Sequence, residues 1–120
     1  MLLVPLLAAT ALAGGPVVLG SADNGRTVRV APAKTIVVTL PSNASTGFRW
    51  QLVGPLDTTV LRLIKHAYVA PASSLVGAGG TEVWRFRTVR AGWFRLRLAY
   101  AQPWAPKKVA RRFAVDFRVS

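Results

Sequence analysis

From about residue 26 onward the chain alternates apolar and polar positions with a period of two, the pattern of strands that bury one face. Glu82–Val89 sets Trp84 and Phe86 on one side and arginines on the other. Trp93–Tyr100 repeats this with Phe94, Leu96, Leu98 and Tyr100, and Ala110–Val119 with Phe113, Val115, Phe117 and Val119. Arg26–Ala31 alternates around Val28 and Val30. Lys34–Leu40 is rich in β-branched residues, and Phe48–Val53 reads as a short strand. Val60–Val69 fits a helical face at Val60, Leu61, Leu63 and Ile64, but Tyr68, Val69 and the surrounding strands favour a strand. Turn signals divide these runs: Ala31-Pro32, Pro41-Ser42-Asn43, Gly54-Pro55, Gly77 to Gly80, Ala91-Gly92 and Pro103 to Pro106. The pattern predicts an all-β fold, an immunoglobulin-like antiparallel β-sandwich of about seven strands, with a small barrel as the alternative. Strand order does not follow from alternation.

Before these strands the pattern changes. Residues 1–22 carry no charged side chain, and Met1 to Ala13 is almost wholly Leu, Val and Ala. Ala11-Leu12-Ala13 fits a small-x-small cleavage pattern, and Gly20-Ser21-Ala22 is a second candidate. The expectation is a leader over 1–22 rather than a membrane anchor, because Pro5, Gly14, Gly15 and Pro16 interrupt the run and leave it short of the ~20 residues of a spanning helix. The remaining domain covers 23–120, and the implied location is secreted or periplasmic.

Composition narrows the chemistry. The 120 residues make one domain. There is no cysteine, so neither disulfides nor thiol chemistry nor a cysteine-built zinc site is available. His66 is the sole histidine, and Asp57, Glu82 and Asp116 are scattered, so no catalytic constellation is legible; His66 reads as a strand surface or core residue. No cofactor is expected. The sixteen Lys and Arg against four Asp and Glu give a formal charge of +12, spread along strands rather than run in a block. This is a basic sheet face in the plainest reading; attraction to polyanions is the functional one. No signature of a nucleic-acid module accompanies it, so nucleic acid is not the expected partner.

Three segments between strands stand out. Asn43-Ala44-Ser45-Thr46-Gly47-Phe48 joins a turn-shaping Asn to a glycine suited to positive φ, around small polar residues. Gly77-Ala78-Gly79-Gly80 exposes main chain, and the strand after it excludes a phosphate cradle, which needs a helix N-terminus. Gln102-Pro103-Trp104 places a Trp on a proline-stiffened loop, the setting of an interface anchor. Each alone is an ordinary turn. In this order, over roughly residues 26–119, they resemble the chagasin-like inhibitors of papain-family cysteine proteases. Ala44 stands where that family's pattern has proline, and Gln102 where it has arginine.

The resemblance implies a monomeric, non-enzymatic, reversible inhibitor whose partners are papain-like cysteine proteases. Its three loops would form a wedge. Thr46 would lie centrally, near the enzyme's thiolate–imidazolium pair, and the other two loops would straddle it. A membrane enters this picture only through an uncleaved leader. The rival reading is a basic immunoglobulin-like module that binds polyanions or envelope components.

Overall fold

The computed structural model describes residues 14–72, 75 and 77–120. Among these residues, eight strands form two four-stranded sheets packed face to face: β1 Val17–Leu19, β2 Thr27–Val30, β3 Thr35–Ser42, β4 Arg49–Leu52, β5 Leu61–Val69, β6 Gly80–Thr88, β7 Gly92–Ala101 and β8 Arg111–Val119. One sheet has the order β1-β3-β6-β5 and the other β2-β8-β7-β4. The central pairs are antiparallel, as the alternation predicted. Two edges are parallel: β1 on β3, and β2 on β8.

Seven strands coincide with the runs read from the sequence, and Val60–Val69 resolves as β5. The eighth is β1, which falls inside the uncharged segment read as a leader. Its residues pair with Ile36, Val37 and Val38, and Leu19 is buried. An apolar run without charges is equally suited to an edge strand or a leader, which is why the pattern did not separate them. Residues 1–13, including Ala11-Leu12-Ala13, lie outside the described residues.

The core fills the space between the sheets. Ile36, Val38 and Leu40 of β3 and Trp84 and Phe86 of β6 face Leu96, Leu98 and Tyr100 of β7 and Phe113, Val115 and Phe117 of β8. Each fully buried Phe, Leu or Ile contributes about 1.5–3 kcal/mol over its exposed state, so packing can hold a cysteine-free sandwich without staples. Strand direction then sets the ends of the molecule. The β3–β4, β5–β6 and β7–β8 connections all leave from the same end, because β3, β5 and β7 run the same way in their ladders.

Candidate functional site

The three sequence segments occupy those three connections. In the first, Asn43 caps a single 3-10 turn, Ala44–Thr46. Its Oδ1 accepts from the Ser45 amide at 3.1 Å and the Ser45 hydroxyl at 2.7 Å. The Thr46 hydroxyl donates to the Asn43 carbonyl at 2.7 Å and accepts from the Phe48 amide at 3.3 Å. Gly47 ends the turn at φ 79°, the left-handed region that the sequence anticipated for it. Ala44, Ser45 and Thr46 are left exposed at the tip. The chain thus satisfies its own polar groups locally, which stiffens a loop that lacks a proline.

Asn43 also reaches the second loop. Its Nδ2 donates to the Gly77 carbonyl at 2.9 Å. Gly77 has φ 78°, and the Ala78 amide closes a turn onto the Leu75 carbonyl. Gly79 is exposed, but Gly80 is not part of the loop tip. It is the first residue of β6, paired with Ser42, and a Cβ there would lie 2.3 Å from the Val69 carbonyl and 2.7 Å from the Tyr68 hydroxyl. The last glycine is therefore required by packing between β5 and β6 rather than by exposure.

The third loop closes the edge from the other side. Gln102 Nε2 donates to the Thr46 carbonyl at 3.1 Å. A neutral amide thus ties the third loop to the first without a charge. The Ala105 amide returns to the Gln102 carbonyl at 2.9 Å, and Pro103 and Trp104 project from this turn. Trp104 is 71% exposed, and its ring edge rests over Gly47. All three segments are brought together, with the first loop bonded to both others.

Under the loops lies a polar cluster that the sequence reading missed. Glu82 is 2% exposed and accepts from the Ser42 hydroxyl at 2.6 Å and the Trp50 amide at 2.9 Å. Its other oxygen meets His66 Nε2 at 2.6 Å, and the His66 ring stacks on Trp84 at 3.6 Å. Glu82 shares its inward parity with Trp84, and that was the available signal. Beside it, the Tyr100 hydroxyl accepts from the Asn43 amide at 2.9 Å, and the Tyr100 ring packs against Phe48 and Trp50. His66 thus lies between buried Glu82 and solvent, its ring partly exposed. Among the described residues no group of acids and histidine could hold a metal.

The arrangement offers an edge of hydrogen-bonded loops with a small polar tip, exposed main chain at one flank and an exposed Trp104 at the other. At its tip the Ser45 and Thr46 hydroxyls are bonded to Asn43 and not to a histidine or carboxylate that could activate them.

Residues 29–119 match the family described as Chagasin family peptidase inhibitor I42. Chagasin of Trypanosoma cruzi is 36% identical over 103 residues, covering 82% of this chain and 94% of chagasin. The fold is similar to the cysteine protease inhibitor EhICP2 of Entamoeba histolytica, with a TM-score of 0.78 at 20% identity over 88% of this chain and 96% of that one. It is also similar to Leishmania mexicana ICP, with a TM-score of 0.63 at 27% identity over 82% and 90% of the two chains. The chain belongs to the chagasin family of peptidase inhibitors.

Proposed function

We propose that this protein is a reversible, non-covalent inhibitor of papain-like cysteine proteases that fills the active-site cleft with its three-loop edge. The observation that carries the reading is the pair of side-chain amide tethers, Asn43 to Gly77 and Gln102 to Thr46, which hold three separate connections as one surface. Thr46 stands at the centre of that surface, and Trp104 and the Gly77–Gly79 main chain flank it. A prestiffened edge loses little conformational freedom on docking, so a larger share of the contact energy appears as affinity. Without cysteine, the inhibitor has no thiol to exchange with the enzyme, and occlusion alone accounts for inhibition. The +12 charge speeds encounter with an acidic protease and makes the association rate fall with salt.

The uncharged N-terminal segment supports a secreted or periplasmic location. Cleavage after Ala13 rather than after Ala22 is favoured by β1, since the later cut would remove Val17–Leu19 from its ladder with β3. The mass of the processed chain separates the two: a start at Gly14 supports the first, a start at Asp23 the second.

The direct test is an inhibition titration against papain and a cathepsin L-type enzyme, with trypsin as control. Reversible, stoichiometric loss of papain-like activity alone is expected. Full papain and cathepsin activity in the presence of excess folded chain would overturn the reading.

A further inference from the structure

The outer face of the β1-β3-β6-β5 sheet concentrates positive charge that no carboxylate among the described residues neutralises. In the β5–β6 register, Arg62 stands directly opposite Arg87, and Lys65 directly opposite Arg85. All four are exposed, on the side away from Trp84 and Phe86. Like charges opposed across a ladder are destabilising, so this array costs the fold something that an anion would relieve. Each of the four Asp and Glu side chains is committed elsewhere. Asp23 pairs with Arg26, Asp57 accepts from Thr59, Glu82 is buried in the core, and Asp116 pairs with Arg95 on the opposite sheet.

A further feature chooses among anionic partners. Aliphatic side chains border the array: Ile64 is 53% exposed at the β5 bulge, Val69 50% and Val18 of β1 65%. Single-stranded nucleic acid would call for exposed aromatic stacking groups, whereas cations mixed with aliphatics suit the headgroup–acyl boundary. Gly14, Gly15 and Pro16 line a cavity of about 310 Å³ together with Arg85 and Arg87. The array lies away from the three loops: Arg85 and Arg87 are about 17 and 23 Å along β6 from Gly80 at ~3.3 Å per residue.

We propose that the outer face of this sheet is a docking surface for an anionic lipid bilayer, with Arg62, Lys65, Arg85 and Arg87 on the headgroups and Val18, Ile64 and Val69 against the interface. This goes beyond protease inhibition and does not depend on it. Seated so, the protein keeps its loop edge free.

Co-sedimentation of the full chain with mixed phosphatidylglycerol–phosphatidylcholine vesicles tests it, with pure phosphatidylcholine for comparison. Binding to the anionic vesicles alone is expected, weakening with salt. The quadruple variant Arg62→Gln, Lys65→Gln, Arg85→Gln, Arg87→Gln should lose roughly 10²-fold or more, since each cation at such a surface is worth roughly fivefold. A control with the same charge removed from the other sheet, Arg29→Gln, Arg97→Gln, Arg112→Gln, Arg118→Gln, should lose far less. Should the quadruple variant fail to fold by thermal unfolding, the pairs Arg62→Gln, Arg87→Gln and Lys65→Gln, Arg85→Gln serve separately, each expected to lose at least tenfold. Equal losses from the two faces would overturn the proposal in favour of net charge alone. Equal binding to neutral vesicles would overturn it in favour of apolar insertion. Binding of duplex DNA, dependent on the same four residues and without vesicle binding, would overturn it in favour of nucleic acid.

Discussion

The ring of Trp104 lies so close over Gly47 that a Cβ added there would stand 2.7 Å from Trp104 Cη2. Gly47 also has φ 79°, which costs a residue with a side chain about 1–2 kcal/mol. Gly47→Ala therefore combines backbone strain with displacement of the anchor. We expect inhibition of papain to weaken at least tenfold while the sandwich still unfolds cooperatively. Unchanged inhibition by Gly47→Ala would show that the Trp104 position is not set by this contact.

Removing the anchor itself separates binding from folding. Trp104 is 71% exposed, so its loss uncovers little of the core. Trp104→Ala is expected to weaken inhibition by about 2 kcal/mol, as loss of an interface anchor does, and to leave the unfolding temperature within error. Paired inhibition and thermal-unfolding measurements on the same preparation check both halves.

The tethers can be cut one at a time. Asn43→Asp keeps the Oδ1 acceptor for Ser45 but removes the donor to Gly77, and so isolates the link between the first two loops. A single hydrogen bond of this kind is worth about 1 kcal/mol. Amide exchange around Gly77 and Ala78 should quicken, with little change around Ser45. Identical exchange in both segments would mean the loops are positioned independently.

Glu82 is a stability residue beneath the site. Glu82→Ala would leave the buried Trp50 amide and the Ser42 hydroxyl without their acceptor, at about 1–3 kcal/mol for each. We expect a loss of about 3 kcal/mol by denaturant titration. His66→Ala should cost less, because Glu82 retains its other two donors.

The acid limb of stability has a defined contributor. Arg95 holds the Asp116 carboxyl below the ordinary aspartate range through a hydrogen bond and charge attraction. A carboxyl depressed in the folded state stabilises fully above its unfolded pKa, and that contribution is lost as pH falls through the folded value. Asp116→Asn should lower stability slightly at neutral pH, leave it nearly unchanged in strong acid and so flatten the acid limb, the drop being small because the pair is solvent-exposed. Denaturation midpoints across the acid range measure it.

Most of the sandwich was legible because burial imposes a period of two: Trp84 and Phe86, or Phe113, Val115 and Phe117, could only face one way. What alternation lacks is identity of partner. It could not pair β2 with β8 in parallel, nor tell that Val17–Leu19 joins a sheet, since an uncharged run of three residues carries no period. At the site, the turn chemistry of Asn43 and Gly47 was readable from local rules. The links from Asn43 to Gly77 and from Gln102 to Thr46 were not, because they span 34 and 56 residues and depend on the fold being already formed. Gly80 was read as loop because a glycine cluster looks alike whether it frees a backbone or makes room for Tyr68.

The two amide tethers also bear on how this edge can be altered. Loops that share hydrogen bonds do not respond to substitution independently, and residues in one network show couplings of about 0.5–3 kcal/mol. Retargeting the protein by diversifying a single connection would therefore disturb the other two. Selection libraries should vary the residues around Asn43, Gly77 and Gln102 together, and the best sequence for one connection is expected to change with its neighbours.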